Sequence, residues 1–204
     1  MHKSLTGLFF FTLLLTACNN QSKPYLANDT ASLATQNDTV RKEETTTAVA
    51  DAFLIVAGEQ IGQVHIADSA AKPLRLLGRP DGGDAAMGSA TLTWMGKGNP
   101  PSQLDVYTHY RDSSMTDRSV KQIRTTSPAF STTDGLRVGL MLSEATQRQP
   151  GLKFSSSESV RKGIRFYDDK ANCLAIEADS NANGQKVVSV IVHEKGQGVR
   201  SVYQ

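Results

Sequence analysis

The sequence predicts an α+β fold, in which two tandem helix-plus-three-strand units form an antiparallel sheet with short helices packed on one face. Three observations predict it. After residue 50, most apolar residues alternate with polar ones, as they do in half-buried strands. Two short helical stretches begin at Ser69 and Ser143, which lie 74 residues apart. Three candidate strands follow each stretch, so the spacing indicates an internal repeat.

The first unit spans about residues 54–130 and opens with an apolar run at residues 53–56. Ser69 can cap a short helix, because its hydroxyl can accept a backbone N–H of the first turn, where Pro73 is also tolerated. Gly78 then ends the helix before a turn. The candidate strands that follow are residues 89–95, 104–110 and 120–126.

The second unit spans about residues 131–204 and repeats this order. The segment Arg137-Val138-Gly139-Leu140-Met141-Leu142 leads to Ser143, and the second helical stretch ends before Pro150. Its candidate strands are residues 163–167, 173–179 and 187–194. We therefore expect the two units to build one antiparallel sheet together.

Short motifs recur in the two units. In each unit an apolar residue followed by glycine precedes the helix, Ile61-Gly62 in the first and Val138-Gly139 in the second. The first helix ends in Leu77-Gly78-Arg79-Pro80. Over about residues 61–194 this pattern resembles the beta-lactamase-inhibitor-like superfamily, which includes the small lipoprotein of the outer-membrane barrel-assembly machinery. The resemblance implies the tandem fold. The second helix lacks the Leu-Gly step and Pro73 interrupts the first, so no inhibitor contact residue is carried over.

The N-terminus carries a short apolar segment behind a basic residue. The run from Leu5 to Leu15 is too short to span a bilayer, which needs about 20 residues. Leu15-Thr16-Ala17-Cys18 resembles the lipobox of bacterial lipoproteins. This resemblance implies that residues 1–17 are a removed signal peptide and that Cys18 carries a diacylglyceryl thioether and an N-acyl chain such as palmitate. The alternatives are an ordinary secreted signal peptide with a chance cysteine, or a buried apolar helix.

Residues 18–50 follow as the lipidated N-terminus and a tether, and residues 51–204 as the folded domain. The tether is rich in Asn, Asp, Thr and Ser, which cannot bury enough apolar surface to offset chain entropy, so we predict disorder. Its reach is about 30 Å by the flexible-chain estimate. Asn19 is not the aspartate that retains lipoproteins in the inner membrane, so the resemblance implies the outer membrane, with the protein facing the periplasm.

Composition excludes several classes of protein. The chain of 204 residues has 22 Lys and Arg against 20 Asp and Glu, and its net charge of +2 argues against nucleic acid as a partner. Two cysteines cannot form a disulfide framework, and Cys173 is expected to be a buried thiol.

Chemical motifs are weak. Asp179-Ser180-Asn181-Ala182-Asn183-Gly184 matches the start of a calcium loop, but Val190 replaces the required glutamate, so a hairpin turn is favoured. No histidine cluster, serine-hydrolase elbow or phosphate loop is present in the sequence, so no metal, no cofactor and no enzymatic activity are predicted.

Strand alternation places several polar and aromatic residues away from the core. The alternation predicts that Leu104 and Val106 face the core, and that Ile164 and Phe166 do so as well. The opposite side would then be a binding face that carries Tyr107, His109, Arg111, Arg165, Tyr167, Glu177 and His193. We expect a membrane-anchored envelope lipoprotein that uses this face as a protein-binding or assembly module.

Three other interpretations of this surface stay open. It could be an ordinary solvated sheet face with no ligand. The domain could instead bind a small ligand or act as an enzyme through a pocket around His109, Arg111 and Glu177. It could also be a purely structural component of the envelope.

Overall fold

The computed structural model describes residues 51–155, 163–180 and 185–199, all within one compact unit of the chain. Two short helices and eleven strands occur in this part of the chain, in the order β1 Ile55–Val56, β2 Gln60–Ile61, β3 Val64–His65, α1 Ala71–Leu77, β4 Gly82–Ala86, β5 Ser89–Met95, β6 Gln103–Tyr110, β7 Arg118–Thr125, α2 Leu142–Arg148, β8 Lys153–Ser155, β9 Ile164–Asp169, β10 Leu174–Asp179 and β11 Lys186–His193.

One large antiparallel sheet dominates the structure. Its eight strands lie in the order β4-β5-β6-β7-β11-β10-β9-β8, and a separate small sheet has the order β1-β2-β3. The strands from β4 to β7 are consecutive neighbours, and so are those from β8 to β11. The two sets meet where β11 pairs with β7, with Ile191 opposite Arg124.

The predicted α+β class with two tandem helix-plus-three-strand units is therefore wrong. The protein is mostly β, and its two helices have seven residues each. Each helix has one buried residue, Pro73 in α1 and Ala145 in α2. Because β7 and β11 pair along the middle, both sets of strands belong to one continuous sheet.

Local sequence explains why both helices are short. As predicted, α1 ends at Gly78, whose positive φ of 78° suits glycine and whose N–H donates to the Leu74 carbonyl. The Glu144 carboxylate accepts the Met141 backbone N–H at 2.9 Å and so caps α2. Pro150 lies just beyond the other end of α2, where the chain leaves the helix.

The strand register defines two faces of the large sheet. One row of paired residues is apolar and forms the core face; it runs Leu92, Val106, Ile123, Val192, Leu174. The next row lies on the opposite side, here called the second face; it runs Thr93, Asp105, Arg124, Ile191, Ala175. Both rows include buried residues, so the second face is not simply a solvated surface.

The small sheet packs on the core face. Ile55, Ile61 and Val64 are at most 2 % exposed and belong to the same apolar cluster as Val106 and Ile123. The turn between β2 and β3 needs a glycine: Gly62 has φ +56°, and a Cβ there would lie 2.7 Å from the Ala52 carbonyl oxygen. Any residue with a side chain at position 62 would therefore collide with the Ala52 carbonyl oxygen.

The predicted signal peptide, Cys18 and the tether lie outside the described residues, as do residues 181–184 of the calcium-like loop. That loop connects β10 and β11, which pair antiparallel. Over residues 51–155, 163–180 and 185–199, no helix is long and apolar enough to cross a membrane.

Candidate functional site

Four of the seven residues predicted for the binding face lie on the second face. Tyr107 and His109 belong to β6, Glu177 to β10 and His193 to β11, and the register places all of them on the same side as Arg124. Their environments differ. Tyr107 and His109 are half-buried, whereas His193 is only 2 % exposed.

Arg165 and Tyr167 do not share this face. Tyr167 pairs with Ile176 on the core face, packs against the apolar core and lies edge-on to Phe154 with ring centroids 5.7 Å apart. Arg165 has the same parity and is exposed. The sequence pattern was ambiguous because Phe166 and Tyr167 are adjacent, and the pairing of β9 with β10 decides which of them turns inward.

Arg111 lies just beyond the end of β6, and its guanidinium is hydrogen-bonded to neighbouring residues. Its Nε donates to Asp117 at 2.8 Å, and its Nη2 donates to the Ala67 carbonyl at 2.8 Å. Both members of the ion pair are about half exposed. This arginine therefore fastens the ends of β6 and β7 to the segment before α1.

The second face contains a buried charge cluster, here called the Arg124 cluster, formed by Asp105, Arg124, Glu177 and Ser189. The Arg124 Nη1 donates to Asp105 at 3.0 Å, and Nη2 and Nε donate to one oxygen of Glu177 at 2.7 and 3.0 Å. The Ser189 hydroxyl donates to the same oxygen at 2.6 Å. Arg124 and Asp105 are each 1 % exposed.

Four different strands supply this cluster. Asp105 comes from β6, Arg124 from β7, Ser189 from β11 and Glu177 from β10, so the contacts cross the junction between the two sets of strands. The second oxygen of Asp105 accepts bonds from Thr93 and Gln103, both at 2.8 Å. A buried ion pair is tolerated only when such hydrogen bonds satisfy its remaining atoms, and here they fix the register of the central strands.

A second buried polar pair lies farther along the same face. The His193 Nε2 lies 3.2 Å from Asp168 on β9, and its Nδ1 lies 3.1 Å from the Glu194 carbonyl. Both side chains are at most 5 % exposed. His193 therefore belongs to the interior of the structure rather than to an accessible surface.

One accessible part of the second face is a patch on β5 and β6, here called the hydroxyl patch. It is formed by half-buried residues of these two strands: Ser89, Thr91, Thr93, Tyr107 and His109. Ser89 pairs with His109 and Thr91 with Tyr107. The Tyr107 hydroxyl is hydrogen-bonded to Ser89 at 2.8 Å. The His109 Nδ1 lies 2.9 Å from the Tyr110 carbonyl, so both rings are held in position. The patch offers an aromatic ring, an imidazole and hydroxyl groups. Its own residues carry no carboxylate or guanidinium, but Asp84, exposed on the edge strand β4, pairs with Thr91 and places a carboxylate beside it.

The structure does not assemble the pocket considered around His109, Arg111 and Glu177. Glu177 is three strands away from β6, and its pairing partner Ser189 is aligned with the opposite end of β6. With strands about 4.8 Å apart and about 3.3 Å per residue, His109 and Glu177 are more than about 20 Å apart. Glu177 is also bound to Arg124.

Cys173 precedes β10 and is a buried free thiol among the described residues. Burial raises the pKa of this thiol; the charge of Lys195 opposes the shift, while Asp168 and Asp169 add to it. A thiol with a raised pKa is a weak nucleophile at neutral pH. Within the described part of the chain, no group of three or more His, Cys, Asp or Glu side chains could hold a metal ion.

Comparison with known proteins gives little guidance. No protein-family model matches the chain, and no curated protein matches it. Among solved structures, the chain is similar to the uncharacterized protein yfeY from Escherichia coli, with a TM-score of 0.38 and 8 % identity over 68 % of this chain and 99 % of that one. A similarity of this size supports no conclusion about function.

Proposed function

We propose that this chain is a lipid-anchored protein of the bacterial envelope that binds another envelope protein through the hydroxyl patch of β5 and β6. The anchor is Cys18, and the protein is held in the outer membrane, facing the periplasm. The domain itself is not an enzyme. The observation that carries the proposal is the ordered, half-exposed and uncharged patch beside a rigid buried cluster.

The anchor is supported by the sequence. The lipobox-like segment Leu15-Thr16-Ala17-Cys18 follows an apolar run of signal-peptide length. Several acyl chains on one cysteine give stable membrane anchoring, because each buried methylene contributes about 0.8 kcal/mol. The segment after Cys18 is long enough to keep the domain near the membrane without fixing its orientation.

The chemistry of the hydroxyl patch suits a protein surface. The centres of protein interfaces are depleted of charge and enriched in tyrosine, which offers a large apolar area together with a hydroxyl. Tyr107 and His109 supply this combination, and their hydrogen bonds to Ser89 and the Tyr110 carbonyl fix them in place. A prearranged surface loses less side-chain entropy on binding. The partner is therefore a protein whose surface offers hydrogen-bonding groups to these side chains.

Photo-crosslinking tests the patch. A benzophenone side chain at Tyr107 of the full chain, in intact cells, should trap one discrete protein. The same group at Arg165, which is exposed on the core-face side of β9, is the matched control and should not trap it. Equal crosslinking from both positions, or only a diffuse background from Tyr107, would contradict the proposal.

The anchor is tested separately. Cys18→Ala should abolish metabolic labelling with palmitate and release the chain from membranes. Continued labelling would show that the acyl chain is elsewhere. Since the crosslinking experiment reports only on β5 and β6, either half of the proposal can fail alone.

A further inference from the structure

The helix α1 leaves an unusual surface open to solvent. Leu74, Leu76 and Leu77 are 41, 42 and 38 % exposed, although leucine is normally buried. Arg75 and Arg79 lie among them and are also exposed. These five residues are called the α1 surface below. Single exposed apolar side chains are normal on a protein surface, but a contiguous group of them indicates an interaction site.

The geometry of the helix explains the exposure. Pro73 is the buried residue of α1, and Leu76 and Leu77 follow it at the i+3 and i+4 positions, so all three share one helical face. Pro73, near the N-terminal end of that face, is buried, whereas Leu76 and Leu77 nearer its C-terminal end are 42 and 38 % exposed. The Trp94 indole N–H donates to the Gly78 carbonyl at 3.2 Å and ties the C-terminal end of α1 to β5.

The charges around the α1 surface are unbalanced. Lys72 is paired with Asp68 at 2.9 Å, but among the described residues neither Arg75 nor Arg79 has an ion-pair partner. No acidic residue occurs from 69 to 80. The next carboxylate, Asp81, accepts the Met95 backbone N–H at 2.8 Å. The surface therefore combines apolar side chains with two guanidinium groups to which the described part of the chain offers no ion-pair partner.

We propose that the α1 surface is a membrane-contact site that binds a surface of anionic phospholipids. Arginines pair with the lipid phosphates while the leucines enter the boundary between headgroups and acyl chains, as in interfacial amphipathic helices. A short helix with three leucines would bind weakly by itself. The anchor at Cys18, which belongs to the proposed function, would keep the domain within about 30 Å of the membrane, so weak contact is enough to orient it.

Trp94 makes the proposal measurable in the full chain. It is the single tryptophan of the sequence and it contacts the end of α1. The acylated chain is reconstituted into vesicles whose acyl chains are brominated, because bromine quenches nearby indole fluorescence. Vesicles containing phosphatidylglycerol should quench Trp94, whereas vesicles of phosphatidylcholine alone should leave it bright at equal anchorage. High salt should remove the difference.

Variants separate the two contributions. Arg75→Gln with Arg79→Gln should weaken docking about 30-fold, which is roughly 2 kcal/mol at about 1 kcal/mol per basic residue near an anionic surface. Leu76→Glu with Leu77→Glu should abolish the quenching. Arg165→Gln and Phe154→Glu, which change an exposed arginine and an exposed aromatic residue at the far side of the sheet, should have no effect.

Flotation of the same samples reports the anchor independently. A chain that floats with the vesicles but shows equal Trp94 emission in neutral and anionic lipid would overturn the membrane contact and leave the anchor standing. Quenching that survives the double arginine substitution would also overturn it. If the chain proves not to be acylated, adding it to preformed anionic vesicles still tests the α1 surface through Trp94.

Discussion

Replacing Arg124 by methionine removes the cation that lies between Asp105 and Glu177. The hydrogen bonds that are lost include one at 3.0 Å to Asp105 and two at 2.7 and 3.0 Å to Glu177. Methionine has a similar length, so the change tests charge and hydrogen bonding more than packing.

The loss of stability arises mainly at Asp105, which is more deeply buried than Glu177. Asp105 is 1 % exposed and cannot be rehydrated, although Thr93 and Gln103 still bond to its other oxygen. The Glu177 side chain is 14 % exposed, and the Ser189 hydroxyl still donates to it. Removing one partner of a buried pair costs about 3–5 kcal/mol, because a charge remains buried without compensation. For a chain of this size that corresponds to roughly 6–20 °C in Tm.

Urea unfolding followed by Trp94 fluorescence measures the loss. Arg111→Met is the matched control, since its pair with Asp117 is about half exposed and contributes at most about 1 kcal/mol. Asp105→Asn combined with Arg124→Met should cost less than the sum of the single changes. Each single change leaves the other charge of this buried pair without its partner, whereas the double variant removes both charges. A loss below about 1 kcal/mol for Arg124→Met, or strict additivity in the double variant, would refute the buried-cluster explanation.

Three further predictions concern other parts of the domain. His193→Gln should lower the free energy of unfolding by about 1–3 kcal/mol, because Asp168 loses a buried partner, whereas His109→Gln on the half-exposed patch should change it by less than about 1 kcal/mol in the same urea titration. Gly62→Ala should lower the free energy of unfolding by about 1–3 kcal/mol, because position 62 has a positive φ and the added Cβ would meet the Ala52 carbonyl. Thermal unfolding measures the loss. Gly82→Ala is the control, since nothing lies within 4 Å of the added carbon there. Because burial raises the pKa of Cys173, the unfolded thiol releases its proton first as pH rises above the ordinary thiol value; stability should fall over that range, and Cys173→Ser should show a shallower fall in unfolding titrations.

The sequence was a good guide to single strands and a poor guide to their assembly. The alternation at residues 89–95 and 104–110 located β5 and β6, because those strands have one apolar face. β4 was missed, since Gly82, Gly83 and Asp84 have the composition of a turn. They form a strand because β4 is an edge, paired to β5 alone, where such residues are tolerated.

The Arg124 cluster was not predicted either. Asp105 and Arg124 each alternate with core residues, and that pattern is typical of side chains that face water. Only the register of β6 against β7, together with the pairing of β7 with β11, brings them together with Glu177. A single sequence carries no signal for pairing between residues so far apart along the chain, so the buried nature of the second face could not be anticipated.

The pairing of β7 with β11 also determines how the chain can fold. The two central neighbours of the sheet come from segments about sixty residues apart, and β11 is the last strand in the described part of the chain. The middle of the sheet therefore cannot close until the chain through His193 is available, and such long-range pairing makes folding slow. A protein shortened before β11 would not lose an edge but would expose two unpaired interior strands, β7 and β10, which is a direct route to aggregation.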